Sequence, residues 1–258
     1  MNYTDIQYEI KQGIGYITLY GPKKLNLLTR ESIAHLAQIL STCREDKHCR
    51  AVILTGSGEK AFSAGANIDI FSETGQEAVK AIDWSVYGQE AFGILRKLGK
   101  PSIAAVNGLA LGGGFEIALS CTFRLASQNA KLGLTEITLG FLPGWGGTQL
   151  LTRLVGKTAA MELILSGDII DAETAYRLGI VSEVVPRENL ISRCETLVNR
   201  IIKNSAIAVK NGMEAVEYAA DLSLNQGLLL ESKLAGISCA TEESKERVTA
   251  FLEKRAGK

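Results

Sequence analysis

The chain has 258 residues, 46% hydrophobic and 22% charged, enough apolar material for a substantial buried core and too little charge for a disordered chain. Lys plus Arg and Asp plus Glu number 28 each, so the formal charge is zero and the basic face of a dedicated nucleic-acid binder is not expected. Five scattered cysteines form no CxxC pair, and the two histidines, His35 and His48, join no Cys/His cluster; the thiols read as reduced and no metal site is expected.

Met1 to Ile6 lacks the basic and apolar regions of a secretion signal, which leads to the expectation of a cytoplasmic protein. Ile14 to Leu19 is a short apolar run of strand type ending at Gly21-Pro22. Thr29 is placed to cap a helix that continues to about Cys43. Ala51 to Leu54 reads as a buried strand, followed by a Gly56-Ser57-Gly58 turn and a small-residue loop over 61–67. A long helix is expected from about Gln76 to Lys97 and a strand over Pro101 to Val106. Gly112 to Gly114 then opens a helix carrying Glu116. The stretch Ser102 to Cys121 approaches membrane-span length but contains Asn107, Glu116 and four glycines, so a buried strand running into a buried helix explains it better. Arg124 to Ala126 reads as a strand, Gly147 to Leu154, Lys157 to Ser166 and Ala172 to Leu178 as helices, and Val181 to Val185 as a strand stopped by Pro186. Beyond Pro186 the pattern is almost wholly helical.

Two glutamates stand out. Glu116 lies three residues after Gly113, on the same face of the helix that the glycines open. The first N–H groups of a helix have no internal partner, and glycines allow a ligand oxygen to approach them closely. The same glycines would also suit tight packing of helix against strand, and Glu116 could be a structural carboxylate. Glu136 follows 20 residues later among Leu132, Leu134, Ile137 and Leu139. It could face a pocket, start a helix, or pair with Lys60 or Arg153. A carboxylate beside a backbone anion trap, faced by a second carboxylate, suits proton transfer next to a carbonyl. The glycine spacing does not match a dinucleotide fingerprint, and there is no P-loop lysine.

Four segments, in order, resemble the crotonase (enoyl-CoA hydratase/isomerase) superfamily. They are Lys-Ala-Phe-Ser-Ala-Gly-Ala-Asn-Ile (60–68), Ala-Ala-Val-Asn-Gly-Leu-Ala-Leu-Gly-Gly-Gly-Phe-Glu (104–116), Glu-Ile-Thr-Leu-Gly-Phe-Leu-Pro-Gly-Trp-Gly-Gly-Thr-Gln (136–149), and Ser-Gly-Asp-Ile-Ile-Asp-Ala-Glu-Thr-Ala-Tyr-Arg-Leu-Gly-Ile-Val (166–181). The segment 250–255 resembles the family's C-terminal helix. The resemblance implies an α/β fold, a crotonase-type spiral of ββα units over 1–195, with a helical C-terminal region over 196–258 that serves oligomerisation as a homotrimer or homohexamer.

It implies an acyl-CoA substrate and no cofactor, coenzyme A being part of the substrate. No metal, nucleic-acid or membrane partner is implied. By motif position the thioester oxygen is received by the Ala66 and Gly113 amides, and Glu116 and Glu136 are the catalytic acids. Lys60, Ala64, Asn67, Ile68 and Asp69 line the coenzyme and acyl groups together with Ala66, Gly113 and Trp145. Lys60 is a phosphate contact and Ala64 a backbone contact to adenine. Having both glutamates implies syn-type hydration of a 2-enoyl-CoA. Isomerisation, hydration of a cyclic or dienoyl-CoA, and a non-catalytic CoA- or RNA-binding role are the alternatives. Asn67 stands where the family often has Asp, Thr135 where it often has Pro, and Trp145 where it often has a small residue.

Overall fold

Ile6–Lys11 (β1) and Ile14–Leu19 (β2) form an antiparallel hairpin across Gln12 and Gly13. Both turn residues have positive φ, as the right-handed twist of a two-residue hairpin requires. The alternating Ile-Gln-Tyr-Glu-Ile-Lys pattern of β1 carries a period-two signal, and the expectations above did not include this strand. The computed structural model describes residues 3–21, 24–67 and 77–256. It divides into two compact units, 1–198 and 199–258.

In the first unit, Arg30–Glu45 (α1) begins at Thr29, whose side chain and that of Ser32 exchange capping bonds. Ala51–Gly56 (β3) is followed by Ala61–Ser63 (β4), so the expected small-residue loop is partly strand. Ala78–Arg96 (α2) leads to Ser102–Val106 (β5), Leu109–Leu111 (β6) and Gly113–Ser120 (α3). Phe123–Ser127 (β7) and Lys131–Gly133 (β8) precede a short 3-10 helix over Glu136–Leu139. Gly147–Val155 (α4), Lys157–Ser166 (α5), Ile170–Asp171 (β9), Ala172–Arg177 (α6), Glu183–Val185 (β10) and Leu190–Ile202 (α7) follow.

The strands form two sheets. The larger has the order β1-β2-β3-β5-β7-β10 and the smaller β4-β6-β8-β9. From β2 to β10 every pair in the larger sheet is parallel. Successive pairs, β3 then β4, β5 then β6, β7 then β8, place one strand in each sheet before the chain turns helical, which is the ββα spiral that the motifs imply. Strand β5 is buried at every residue, as a parallel strand covered on both faces should be. Helix α3 is buried along its whole length, Glu116 included.

In the second unit, Ala206–Glu217 (α8), Leu224–Cys239 (α9) and Glu242–Ala256 (α10) are helical, and the buried Asn211 bonds the Leu234 carbonyl and the Ser238 hydroxyl on α9. No helix among the described residues is long and apolar enough to cross a membrane.

Candidate active site

The site is built where β4 and β6 end and α3 begins. Asn26 organises the approach to it. Its side-chain amide donates to the carbonyls of Ala61 (2.8 Å), Ser57 (3.2 Å) and Phe62 (3.3 Å), while Ser57 Oγ donates to its Oδ1 and Ser63 Oγ to its backbone oxygen. A buried amide is stable only with such partners, and here the partners lie 31–37 residues away. The bonds hold the strand carrying Leu28 against residues 65–67: Leu28 N–H donates to Gly65 oxygen (2.8 Å) and Asn67 N–H to Leu28 oxygen (2.9 Å). This bridge uses groups of Gly65 and Asn67, so the Ala66 N–H faces the opposite side.

Gly65 itself lies against the start of α3. A Cβ added to Gly65 would lie 2.8 Å from the Leu111 carbonyl oxygen and 3.5 Å from the Gly113 nitrogen. Residues 64–67, from the β4 segment, and Gly113, from the β6 segment, are therefore brought together. Gly113 is the first residue of α3, so its N–H has no partner within the helix and carries the positive end of the helix dipole. At the other end of α3 the Arg124 guanidinium donates to the carbonyls of Cys121 (2.8 Å) and, at longer range, Leu119 and Ala118.

Glu116 is 1% exposed. Its Oε1 accepts the Trp145 N–H at 2.7 Å and the Gly147 N–H at 2.8 Å. Gly147 is the first residue of α4, so the carboxylate caps that helix from a distance of 31 residues in sequence. Oε2 has no hydrogen-bond partner among the described residues. Burial, and then the charge of Glu136, raise the Glu116 carboxyl to about 8 against the opposing pull of the two amides.

Glu136 opens the 3-10 helix, and Gly112 lies against its side chain: a Cβ at Gly112 would sit 2.8 Å from Glu136 Oε1. Gly112 has φ +49° and ψ −125°, a conformation that side-chain-bearing residues avoid. The Glu136 Oε2 atom is buried and has no hydrogen-bond partner among the described residues. Burial raises this carboxyl to about 7. No Lys or Arg pairs with Glu136 among the described residues. Two carboxyls with pKa values near neutrality, one on each side of the Gly112-Gly113 turn, can hold and move a single proton.

The other expected site residues fall as follows. The Ala64 N–H donates to the Leu25 carbonyl (2.9 Å), so only its carbonyl is left to meet a ligand. The Lys60 side chain is exposed and Asn67 is half-buried. Ile68 and Asp69 lie outside the described residues. Trp145, expected at the acyl pocket, is 4% exposed, with its indole in the core beside Trp84 and Phe92. The indole ring reaches the site through Gly113, against whose Cα it packs. Asn26 and Leu28 are not singled out by the sequence, and neither is the contact of Gly112 with Glu136 or of Gly147 with Glu116. The one local sign was Asn26, a polar residue inside the apolar run Leu25 to Leu28. His35 pairs with Asp5 and stacks on Tyr3, as an ordinary packing group. A cavity of about 390 Å³ bordered by Thr55, Asn107, Arg187 and Leu190 touches neither glutamate.

Comparison with known proteins places these features in context. The enoyl-CoA hydratase/isomerase family model matches residues 9–258. A short-chain-enoyl-CoA hydratase of Clostridium acetobutylicum is 38% identical over 255 residues, covering 99% of this chain and 97% of its own. A crotonyl-CoA hydratase of Syntrophomonas wolfei is 36% identical over the same shares. Among solved structures, the enoyl-CoA hydratase from Bacillus anthracis superposes with a TM-score of 0.92 at 36% identity, over 97% of each chain.

Proposed function

The chain belongs to the enoyl-CoA hydratase/isomerase family, and on that premise we propose that it adds water across the C2=C3 bond of a 2-enoyl-CoA, or removes it in reverse, with Glu116 and Glu136 as its acids. The observation that carries the residue assignment is a buried carboxyl, Glu116, and a half-buried one, Glu136, beside a turn whose Gly113 amide has no partner within the helix.

In this reading the thioester oxygen lies between the Ala66 and Gly113 amides. Attack of water at C3 pushes electron density through C2 onto that oxygen. Donors fixed in advance at a developing oxyanion lower such barriers by about 3–4 kcal/mol each. The hydrogen bonds support a division of labour. In the reactive form Glu116, with two N–H donors on one oxygen, is the carboxylate whose Oε2 takes the proton of the attacking water. Glu136, with a buried oxygen that no donor reaches, is suited to carry the proton that is delivered to C2. Burial raises both carboxyls towards neutrality, Glu116 further, so the resting proton sits on Glu116 and the reactive form is the one in which it has passed to Glu136. After turnover Glu116 holds the proton and Glu136 lacks it, and transfer through the next water resets the pair. Isomerisation needs one carboxylate, so two carboxyls raised towards neutrality favour hydration.

Coenzyme A enters as part of the substrate, and the chemistry needs no other cofactor. Lys60 and the Ala64 carbonyl are available to its phosphate and adenine ends. A cytoplasmic, homotrimeric or homohexameric enzyme fits this reading; exposed apolar side chains in the second unit, including Val216, Leu224, Phe251 and Leu252, would be covered by further copies. The test is steady-state loss of enoyl absorbance with crotonyl-CoA, the acyl group named for one relative. A wild-type protein that binds crotonyl-CoA and leaves the absorbance unchanged would overturn the hydratase assignment.

A further inference from the structure

Trp145 stands in the loop between Glu136 and α4, and three of its parts touch three different pieces of the site. Its backbone N–H donates to Glu116 Oε1 at 2.7 Å. Its six-membered ring packs so closely on Gly113 that a Cβ there would overlap ring atoms Cζ3 and Cε3. Its pyrrole edge lies equally close to Gly88 in α2, where a Cβ would overlap Cδ1 and Nε1. The indole is thus clamped between two glycines on different helices. Edge-on contacts with Trp84 (centroids 5.2 Å apart) and Phe92 (5.4 Å), and a 3.2 Å bond from Nε1 to the Trp84 carbonyl, leave it a single orientation.

We propose that Trp145 is a positioning residue that sets the Gly113 amide and the Glu116 carboxylate relative to each other, through one rigid ring and its own backbone N–H, without touching the substrate. This rests on the reading of Gly113 as an oxyanion donor and Glu116 as an acid. The physical reason is that α3 fixes the backbones of Gly113 and Glu116 together but leaves the Glu116 side chain free to rotate, and its carboxylate is held from another segment. Gly113 belongs to the β6–α3 junction. The partners of Glu116, Trp145 and Gly147, belong to the α4 approach. Without the ring anchored on Gly113, the Trp145 N–H and with it the Glu116 carboxylate could shift relative to the Gly113 amide, and a displacement of about 1 Å can reduce turnover about a hundredfold. The close fit also explains why position 113 must lack a side chain. Gly113 has no left-handed backbone angle, so what bars a methyl group there is the indole.

The test is a suppression experiment. In Gly113→Ala the N–H survives but the new methyl strikes the ring, and kcat with crotonyl-CoA should fall at least a hundredfold. In Trp145→Ala, kcat should fall about a hundredfold with KM within threefold, and Trp145→Phe, which keeps a ring under Gly113, should recover to within tenfold of wild type. The double variant Gly113→Ala/Trp145→Ala gives the methyl its space and should exceed Gly113→Ala alone at least tenfold. Relief of the clash follows from the contact alone, so the positioning role is decided by the ring: a Trp145→Phe that loses as much kcat as Trp145→Ala, or a double variant worse than either single one, would overturn the proposal.

A second readout uses bound cinnamoyl-CoA, whose absorbance moves to longer wavelength when donors polarise its carbonyl. The shift should be lost in Trp145→Ala and largely kept in Trp145→Phe, whatever the turnover. If wild type shows the shift but hydrates no enoyl-CoA, the hydratase reading fails while the positioning role stands. If Trp145→Ala folds, by circular dichroism, and keeps both the full shift and the full kcat, the positioning role fails alone.

Discussion

Replacing Glu116 with Gln should make the protein inactive and more stable together, with the stability gain growing with pH. The variant keeps the shape of the side chain and can keep an oxygen facing the Trp145 and Gly147 amides, but it carries no charge. The wild-type carboxyl is 1% exposed and is raised from 4.5 to about 8, first by burial. Its folded pKa lies above its unfolded one, so the folded state holds the extra proton between these values. The stability linked to that proton is full below 4.5 and is lost as pH rises towards 8.

At pH 7.5 the loss amounts to about 3 pH units at about 1.4 kcal/mol each, or about 4 kcal/mol. Gln does not titrate and escapes this loss. Thermal unfolding followed by circular dichroism should show Glu116→Gln melting on the order of 10 °C above wild type at pH 7.5, with the difference closing as pH falls towards 4.5. Turnover of crotonyl-CoA should fall about 10²–10⁴-fold. A variant less stable than wild type at pH 7.5, or a difference that does not change with pH, would refute the claim that Glu116 is a buried, strained carboxyl.

Glu136→Gln should reduce hydration by about 10²–10⁴-fold while acyl-CoA binding by calorimetry stays within a few-fold, because only proton delivery to C2 is removed. Near-normal turnover would take Glu136 out of the mechanism. Wild-type kcat/KM should be bell-shaped in pH, falling below about 7 and above about 8, since the active form of the pair holds one proton; a flat profile between 5 and 9 would contradict this. Gly112→Ala forces a side chain into a left-handed conformation and into Glu136 Oε1, so a loss of about 1–3 kcal/mol in urea unfolding is expected together with reduced kcat. Asn26→Ala removes a donor from the buried carbonyls of Ala61 and Phe62 and should destabilise by about 1–3 kcal/mol, with unchanged stability arguing against its place in the loop scaffold.

Much of the architecture could be read locally. The buried parallel strands β3 and β5 are apolar runs of strand length, Thr29 stands where a helix cap is needed, and Gly112 to Gly114 open a helix as expected. Strands β4, β6, β8 and β9 were not legible, because two or three residues cannot establish a period and their partners lie far along the chain. The Trp145 side chain shows the same limit from the other side. An aromatic residue between glycines fits a pocket wall as readily as a core, and only the approach of α2 and α3 from elsewhere decides for the core.

Amino-acid order by itself specified the two acids, the glycines beside them and the spacing that puts Glu116 one turn beyond Gly113, because helix geometry is a property of neighbouring residues. Tertiary structure alone decided the state of those acids. The amides on Glu116 come from 29 and 31 residues away, Asn26 draws residues 61–62 from 35 and 36 residues away, and the burial that lifts both carboxyls towards neutrality comes from segments remote in the chain. Charge stabilisation depends on solvent exclusion and on donors in space, and neither is encoded at the position of the residue that titrates.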